Sequence, residues 1–228
     1  SFFHGAFNGS QNFDQYCKIA GFEKYYGKNE YVGSESFDGK WGVFDEDFLQ
    51  FFAKEISTFK TPFFTTLFTI SSHAPFTIPE KYKNKFPKGT NEIHETIAYT
   101  DHALKLFFEK AKNQSWYNNT LFIITADHTS AANKKPEYNN TVGQFKIPIL
   151  FFEPANKELK GINTKNIQQI DIYPSIIDYL QLDAEFISYG KSYKFEQDFV
   201  INYANNSYNY YNGDYYLIFN GKESTGLY

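Results

Sequence analysis

The sequence predicts an α/β fold in which helices cover both faces of a mostly parallel sheet, with a small antiparallel β element at the C-terminus. Three short apolar runs rich in β-branched and aromatic residues are typical of buried strands. They are residues 63–70, 120–126 and 147–152. Helical segments alternate with these runs, and they are residues 45–59, 91–112 and 170–180. This alternation favours parallel pairing, because each helix provides the crossover between two strands.

Residues 1–44 are rich in Gly, Asn and Ser and predict loops around one short helix. This helix spans about residues 14–20, with Asn12 as the candidate N-cap and Gly21 as its stop. The next helix begins with three consecutive acids, which the positive end of a helix dipole favours, and Pro62 ends it.

The run 63–70 predicts a central strand. His73 follows this strand in a predicted loop that contains Pro75 and Pro79. The helix 91–112 carries one apolar stripe, which predicts that it packs on the sheet.

The run 120–126 predicts a strand that ends directly at Asp127 and His128. A polar loop is predicted for residues 133–146, before the strand 147–152.

Beyond about residue 198 the pattern changes to short Tyr-rich alternating segments around Asn-Gly and Gly-Asp turns. Residues 200–203 and 215–219 predict a hairpin or a small antiparallel sheet. We therefore expect one portion of a domain at residues 1–197 and a β extension of the same domain at residues 198–228.

The composition excludes nucleic acid as an expected partner. The net charge is −4, the pI is near 5.8, and all 22 basic residues are Lys. Proteins that read nucleic acid depend on Arg for bidentate contacts to bases and phosphates. The sequence has no Met and no run of about 18 apolar residues. We therefore expect a piece of a longer protein, which leaves open a membrane anchor upstream.

Asp127 and His128 form the candidate metal site. Ligands of α/β sheets gather where strands end, and this pair directly follows the run 120–126. Carboxylate and imidazole groups are ligands of divalent cations. Neighbouring residues on a strand face opposite sides, so the pair binds one ion only where the chain has left the strand. The alternative is a structural cap.

Two other histidines lie in predicted loops. His73 is a candidate partner for a phosphate or a leaving group, because imidazole donates a hydrogen bond or shuttles a proton near neutral pH. The alternative for His73 is a hydrogen-bonded loop residue, and His4 taken alone is more often structural. His94 and His102 lie beside the apolar stripe of a helix and have no predicted role.

Three motifs resemble, in order and spacing, the C-terminal half of the sulfatase and alkaline phosphatase superfamily. They are Phe122-Ile-Ile-Thr-Ala-Asp127-His128, Ile147-Pro-Ile-Leu-Phe-Phe152 and Gln169-Ile-Asp-Ile-Tyr-Pro-Ser-Ile-Ile-Asp178. Two more motifs are similar to the lipoteichoic-acid-synthase-like branch of membrane-anchored phosphoglycerol transferases, and they are Ser1-Phe-Phe-His4-Gly and Thr69-Ile-Ser-Ser-His73-Ala-Pro-Phe. The resemblance covers about residues 1–195 and implies an alkaline-phosphatase-like catalytic domain.

The resemblance also implies the parts of the site. An upstream Thr nucleophile and an upstream Glu complete it around one divalent ion, for which manganese is expected and magnesium or zinc are alternatives. Asp127 and His128 correspond to metal ligands. His73 and His4 correspond to residues that line the phosphoglycerol pocket, and His73 is also the candidate catalytic residue. The ion lowers the pKa of the nucleophile and screens phosphoryl charge.

The chain departs from the synthases just after His4, where an acid, a Trp and an Arg hold glycerol phosphate. The aligned positions are Ala6, Gln11 and Phe13. With no Arg in the chain, the bidentate phosphate clamp is absent, which leaves a substrate other than glycerol phosphate open.

The resemblance implies a membrane-anchored, metal-dependent phospho-transferase or hydrolase that acts outside the cytoplasmic membrane. Its expected substrate is an anionic, phospholipid-derived or glycan component of the cell envelope. Residues 1–228 alone are expected to be inactive, because the nucleophile lies upstream. Two alternatives stay open: a sulfatase of the same fold with a formylglycine nucleophile, and a catalytically dead module that binds envelope anions or glycans.

Overall fold

The computed structural model describes residues 1–33, 36–130, 135–196 and 198–228. Their contacts divide the chain into two compact units, Ser1–Leu159 and Lys160–Tyr228. The predicted boundary between residues 197 and 198 falls within the second unit, and the domain assignment stays a prediction.

The first unit contains five strands and three α-helices among its described residues. In chain order these are β1 (Phe2–His4), α1 (Phe13–Ile19), β2 (Tyr25–Tyr26), α2 (Asp45–Ile56), β3 (Thr66–Phe68), α3 (Ile93–Ala111), β4 (Phe122–Thr125) and β5 (Ile149–Phe152). The three predicted helices of this unit are confirmed, each beginning and ending within three residues of its predicted bounds.

A three-stranded parallel sheet has the order β2-β1-β3, in which His4 of β1 pairs with Phe68 of β3. Phe3 on β1 is fully buried, and its ring stacks on Tyr26 with the centroids 4.3 Å apart. The inner faces of α2 and α3 complete the same core, with Phe52 and Phe107 in contact at 5.7 Å between ring centroids. The aromatic-rich composition therefore fills a conventional core.

β4 and β5 form a separate two-stranded antiparallel sheet in which Phe122 pairs with Phe152. This pair departs from the expectation of parallel pairing and full burial, since the strands are half-buried and Leu150 is 52% exposed. A parallel pair needs a crossover, usually a helix, whereas the described part of the 126–148 connection contains only a short 3-10 turn at Gly143–Phe145. Residues 131–134, which include the start of the predicted polar loop, lie outside the described residues.

The second unit begins with the 3-10 turn Gln169–Asp171, which leads into α4 (Ile172–Tyr179). It continues with β6 (Val200–Ala204), β7 (Ser207–Tyr211), β8 (Tyr216–Phe219) and β9 (Ser224–Leu227), each antiparallel to the next. The predicted antiparallel C-terminal element is confirmed as a four-stranded meander. In the part of the chain that the structure describes, no helix combines the length and apolar character needed to cross a bilayer.

Candidate active site

The carboxyl ends of β1 and β3 lie side by side because these strands are parallel neighbours. The prediction that His4 lies in a loop is wrong, because His4 is the last residue of β1, where it pairs with β3. His73 follows the end of β3 by five residues. In parallel sheets, binding sites form at this edge. The topology therefore brings the two predicted substrate residues to the same end of the sheet, where the parallel strands have their carboxyl ends.

His4 is a buried imidazole, only 3% exposed. Its ring packs against the rings of Phe13 and Phe68, at 4.9 and 5.5 Å between centroids, and its Nδ1 is 3.3 Å from the Tyr25 hydroxyl. Burial lowers the pKa of His4 to about 4, because the imidazolium ion loses hydration there. His4 is therefore neutral near pH 7, and its substrate role stays a prediction.

His73 is exposed and lies in a turn in which its backbone N–H donates to the Ile70 carbonyl at 3.0 Å. Its Nδ1 is 2.9 Å from the Ala74 carbonyl oxygen. Because a carbonyl oxygen only accepts, Nδ1 carries the hydrogen of this bond, and in the neutral ring Nε2 is left as an acceptor. The structure thus gives His73 one tautomer with a free acceptor nitrogen.

The loop that carries His73 is held by a buried carboxylate that sequence reasoning recognised only as a helix-terminal acid. Asp45, at the first position of α2, is 2% exposed. It accepts hydrogen bonds from the backbone of Ile70 at 2.9 Å and of Ser71 at 3.2 Å, and from Thr100 Oγ1 at 3.1 Å. Burial raises the pKa of Asp45, and these donors oppose the shift. Asp45 therefore anchors the exit of β3 to α2 and α3.

A second support is the segment 38–43, which lies against the exits of both strands. The indole Nε1–H of Trp41 donates to the Ala74 carbonyl at 2.6 Å, and the rings of Trp41 and His73 are 4.4 Å apart. On the β1 side, Val43 N–H donates to the Gly5 carbonyl at 2.9 Å. Trp41 is one of only two Trp residues in the chain, and no sequence pattern around it predicts a role.

Asp127 and His128 follow the end of β4 at Thr125, so the chain has left the strand as the metal hypothesis requires. The two side chains face each other, with Asp127 Oδ2 3.4 Å from His128 Nε2. The other imidazole nitrogen, Nδ1, donates to the Thr129 carbonyl at 2.7 Å. Both side chains are exposed, at 55% for Asp127 and 73% for His128.

The two facing atoms of this pair are of the kinds that bind a divalent cation, and the metal assignment stays a prediction. With Nδ1–H donated to a carbonyl, the neutral imidazole of His128 presents its bare Nε2 to a carboxylate oxygen, and two acceptors at 3.4 Å repel each other. A proton on Nε2 or a shared cation removes the repulsion. Metal-bound histidines usually donate their second ring N–H to a carbonyl or carboxylate, as His128 does. A carboxylate oxygen is a typical ligand of manganese and magnesium, and an imidazole nitrogen is a typical ligand of zinc.

The predicted residues do not converge into one cluster. Among the described residues, no group of three or more His, Cys, Asp or Glu side chains is arranged to hold an ion. His4 and His73 share the edge of the parallel sheet, whereas Asp127 and His128 lie beyond a strand of the antiparallel pair. The site assignments therefore stay predictions.

The sulfatase family model matches residues 1–182. Lipoteichoic acid synthase 1 of Bacillus subtilis (strain 168) is 26% identical over 205 residues, which covers 82% of this chain and 32% of the synthase. The lipoteichoic acid synthase of Staphylococcus aureus (strain USA300) is 27% identical over 205 residues, which covers 82% of this chain and 31% of that protein. The chain thus spans about a third of the length of these relatives.

Solved structures give the same fold. An alkaline phosphatase superfamily protein from Vibrio parahaemolyticus superposes with a TM-score of 0.82 at 26% identity, covering 98% of this chain and 55% of that one. The lipoteichoic acid synthase LtaP from Listeria monocytogenes superposes with a TM-score of 0.77 at 20% identity, covering 99% and 63%. The expected alkaline-phosphatase-like α/β fold is confirmed. The chain belongs to the sulfatase family, and its similarity to lipoteichoic acid synthases supports the lipoteichoic-acid-synthase-like branch of the superfamily.

Proposed function

We propose that the chain is part of a membrane-anchored, metal-dependent phospho-transferase or hydrolase that acts on an anionic lipid or glycan of the cell envelope, outside the cytoplasmic membrane. Membership of the lipoteichoic-acid-synthase-like branch supports this class of activity. The observation that carries the proposal is the facing pair of Asp127 Oδ2 and His128 Nε2, with the second imidazole nitrogen fixed by the Thr129 carbonyl.

In this proposal Asp127 and His128 hold one divalent cation, with manganese as the first candidate. When bound, the ion lowers the pKa of the attacking hydroxyl and neutralises charge on the phosphoryl group. The nucleophile and the remaining ligand are proposed to lie outside residues 1–228. This chain alone is therefore expected to bind the ion weakly and to lack turnover.

His73 contributes an acceptor rather than a donor in its neutral form. Its Nδ1–H donates to the Ala74 carbonyl oxygen, so Nε2 is the ring nitrogen left to accept a proton or a hydrogen bond from the substrate. We propose that Nε2 removes the proton from the hydroxyl of the acceptor or from water as a general base. His73 then becomes an imidazolium ion, which loses this proton in a later step. His4, neutral and buried, contributes shape and polarity at the same edge of the sheet and no positive charge.

The proposed substrate class is broader than glycerol phosphate. Phe13, where the synthases have an Arg, packs its ring on the His4 imidazole and offers no phosphate contact of its own. Ala6 is buried at 2% exposure and carries no acid. Recognition of the phosphate therefore depends on the ion and on residues other than an Arg fork.

A sulfatase is the second candidate, and the match of the sulfatase family model favours it. A sulfatase would use the same Asp127 and His128 ligands but would need a formylglycine nucleophile. Mass spectrometry of the nucleophile position in the full-length protein separates the two candidates. Faster turnover of p-nitrophenyl sulfate than of a chromogenic phosphodiester would favour the sulfatase.

The test compares full-length protein with its His128→Ala variant. We expect His128→Ala to lower both kcat/KM for bis(p-nitrophenyl) phosphate and the calorimetric affinity for Mn²⁺ by at least about 100-fold, because even loss of a group that only orients a metal ligand costs 10–100-fold. The matched control is His102→Ala. It removes an imidazole of α3 that is hydrogen-bonded to the Tyr82 hydroxyl. Unchanged Mn²⁺ affinity in His128→Ala would remove the metal assignment, and turnover by purified residues 1–228 would refute the placement of the nucleophile.

A further inference from the structure

Trp41 and His73 donate hydrogen bonds to the same acceptor, the carbonyl oxygen of Ala74. The indole Nε1–H donates at 2.6 Å and the imidazole Nδ1–H at 2.9 Å. A carbonyl oxygen has two lone pairs and accepts both bonds. The two rings also touch, with centroids 4.4 Å apart and planes inclined by 60°.

We propose that Trp41 is a positioning residue for His73, which fixes the Nδ1–H tautomer and thereby presents Nε2 as a bare acceptor to the substrate. The inference rests on the role proposed for His73. The tautomer of a histidine is set by the hydrogen bond that its other nitrogen makes, so the orientation of the Ala74 carbonyl decides which nitrogen faces the substrate. Trp41 Nε1–H holds that carbonyl, and the indole ring limits rotation of the imidazole.

Trp41 is itself held rigidly by a turn. One carboxylate oxygen of Asp38 accepts three backbone N–H groups, from Lys40 at 2.8 Å, Trp41 at 2.7 Å and Gly42 at 3.0 Å. Gly42 then passes against the exit of β1, where its backbone forms a bridge with Ala6. The indole is thus mounted on a segment that is fixed to the sheet edge and does not depend on the His73 loop alone.

The position of Trp41 argues against a purely structural role. Trp41 is half-buried and is not among the residues of the hydrophobic core, whereas Trp116 is 6% exposed and lies within it. Trp116 donates its own indole N–H to Ser57 Oγ at 3.1 Å. A large aromatic residue that stabilises chiefly by burial resembles Trp116, so Trp41→Phe and Trp116→Phe form a matched pair that removes one indole N–H at each place.

The experiment records the side-chain nitrogen spectrum of full-length protein labelled with ¹⁵N-histidine, with the His73 signals identified by their loss in His73→Gln. We expect the neutral ring of wild-type His73 to show a protonated Nδ1 and an unprotonated Nε2. In Trp41→Phe both nitrogens should move to intermediate shifts, because the tautomers mix. Trp116→Phe should lower stability and leave the His73 shifts in place.

The kinetic arm of the experiment separates the two proposals. We expect Trp41→Phe to lower kcat for the phosphodiester roughly 10-fold with little change in KM, a part of the 10²–10⁴-fold that general acid–base catalysis contributes. If His73→Ala keeps full activity, the catalytic role of His73 fails, and the spectrum still decides the positioning by Trp41. To guard against misfolding of Trp41→Phe, Trp41 is also replaced by 3-benzothienylalanine, which keeps the shape of Trp and has sulfur in place of N–H. The inference would be overturned if the ¹⁵N chemical shifts of His73 stayed at their wild-type values in both Trp41 replacements. It would also be overturned if Trp116→Phe changed these chemical shifts as much as Trp41→Phe does.

Discussion

Removal of the Asp45 carboxylate tests how the His73 loop is held. Asp45→Ala deletes the acceptor for the backbone N–H groups of Ile70 and Ser71 and for the hydroxyl of Thr100. Asp45→Asn is the matched control, because its amide oxygen can still accept both backbone donors from the Oδ1 position. The Thr100 hydroxyl can then accept from the amide nitrogen by turning its hydrogen.

The magnitude follows from burial. Ile70 and Ser71 are 7% and 4% exposed, and a buried donor without an acceptor costs about 1–3 kcal/mol. Two such donors would cost roughly 2–6 kcal/mol, and removal of a desolvated charge offsets part of this. We therefore expect Asp45→Ala to lower the free energy of unfolding by about 2–4 kcal/mol, and Asp45→Asn to lower it by less than about 1 kcal/mol at pH 7.

The pH dependence of the same variants has a definite sign. Burial raises the pKa of Asp45 above its ordinary value of 3.8, so the folded chain binds this proton more tightly than the unfolded chain does. The stability that this contributes is complete below the unfolded pKa and is lost as the pH rises through the folded pKa. Asp45→Asn carries no such proton and should lack this component.

Urea unfolding followed by Trp fluorescence gives the free energies, and amide hydrogen exchange at Ile70 and Ser71 reports on the loop itself. In Asp45→Ala these two amides should exchange faster than in Asp45→Asn. The reasoning would be refuted if Asp45→Ala were within about 1 kcal/mol of wild type, or if Asp45→Asn lost as much stability as Asp45→Ala.

Two further perturbations probe the edge of the parallel sheet. Burial lowers the pKa of His4 from 6.5 to about 4, so stability present above pH 6.5 should be lost as the pH falls toward 4, by up to about 3 kcal/mol. Between pH 4.5 and 7.5, the free energy of unfolding from urea titrations should change less with pH in His4→Gln than in wild type. An equal pH dependence in the two proteins would contradict the burial argument. At Gly42 a Cβ would lie 2.1 Å from the Gly5 carbonyl oxygen. Gly42→Ala should therefore lower the free energy of unfolding by about 3 kcal/mol, which a fall in the melting temperature would reveal. Gly39→Ala is its control, since that Cβ meets no atom within 4 Å and the φ of +87° costs about 1–2 kcal/mol, and equal losses in the two variants would exclude the steric explanation.

The sequence by itself determined the helices, because apolar residues three and four positions apart depend only on the local period of the helix. Phe48, Phe52 and Ile56 lie on the buried face of α2 at helical spacing, and the three acids of its first turn begin that helix. In α3 only Phe107 and Ala111 of the predicted stripe are buried, whereas Ile97 is 50% exposed. The local motif at Asp127 and His128 also sufficed to place both side chains just beyond a strand. These features need no information from distant parts of the chain.

Tertiary structure alone decided which strands pair and which residues support the site. An apolar run predicts a strand but not its partner, so the antiparallel pairing of β4 and β5 could not be inferred from their composition. Asp45 and Ile70 are 25 residues apart, and Trp41 and Ala74 are 33 residues apart. The spacing of residues along the chain does not encode such contacts, because they form only when separate loops meet at the edge of the sheet. For the same reason the burial of His4, and with it the low pKa, became visible only once α1 and β3 enclosed the ring.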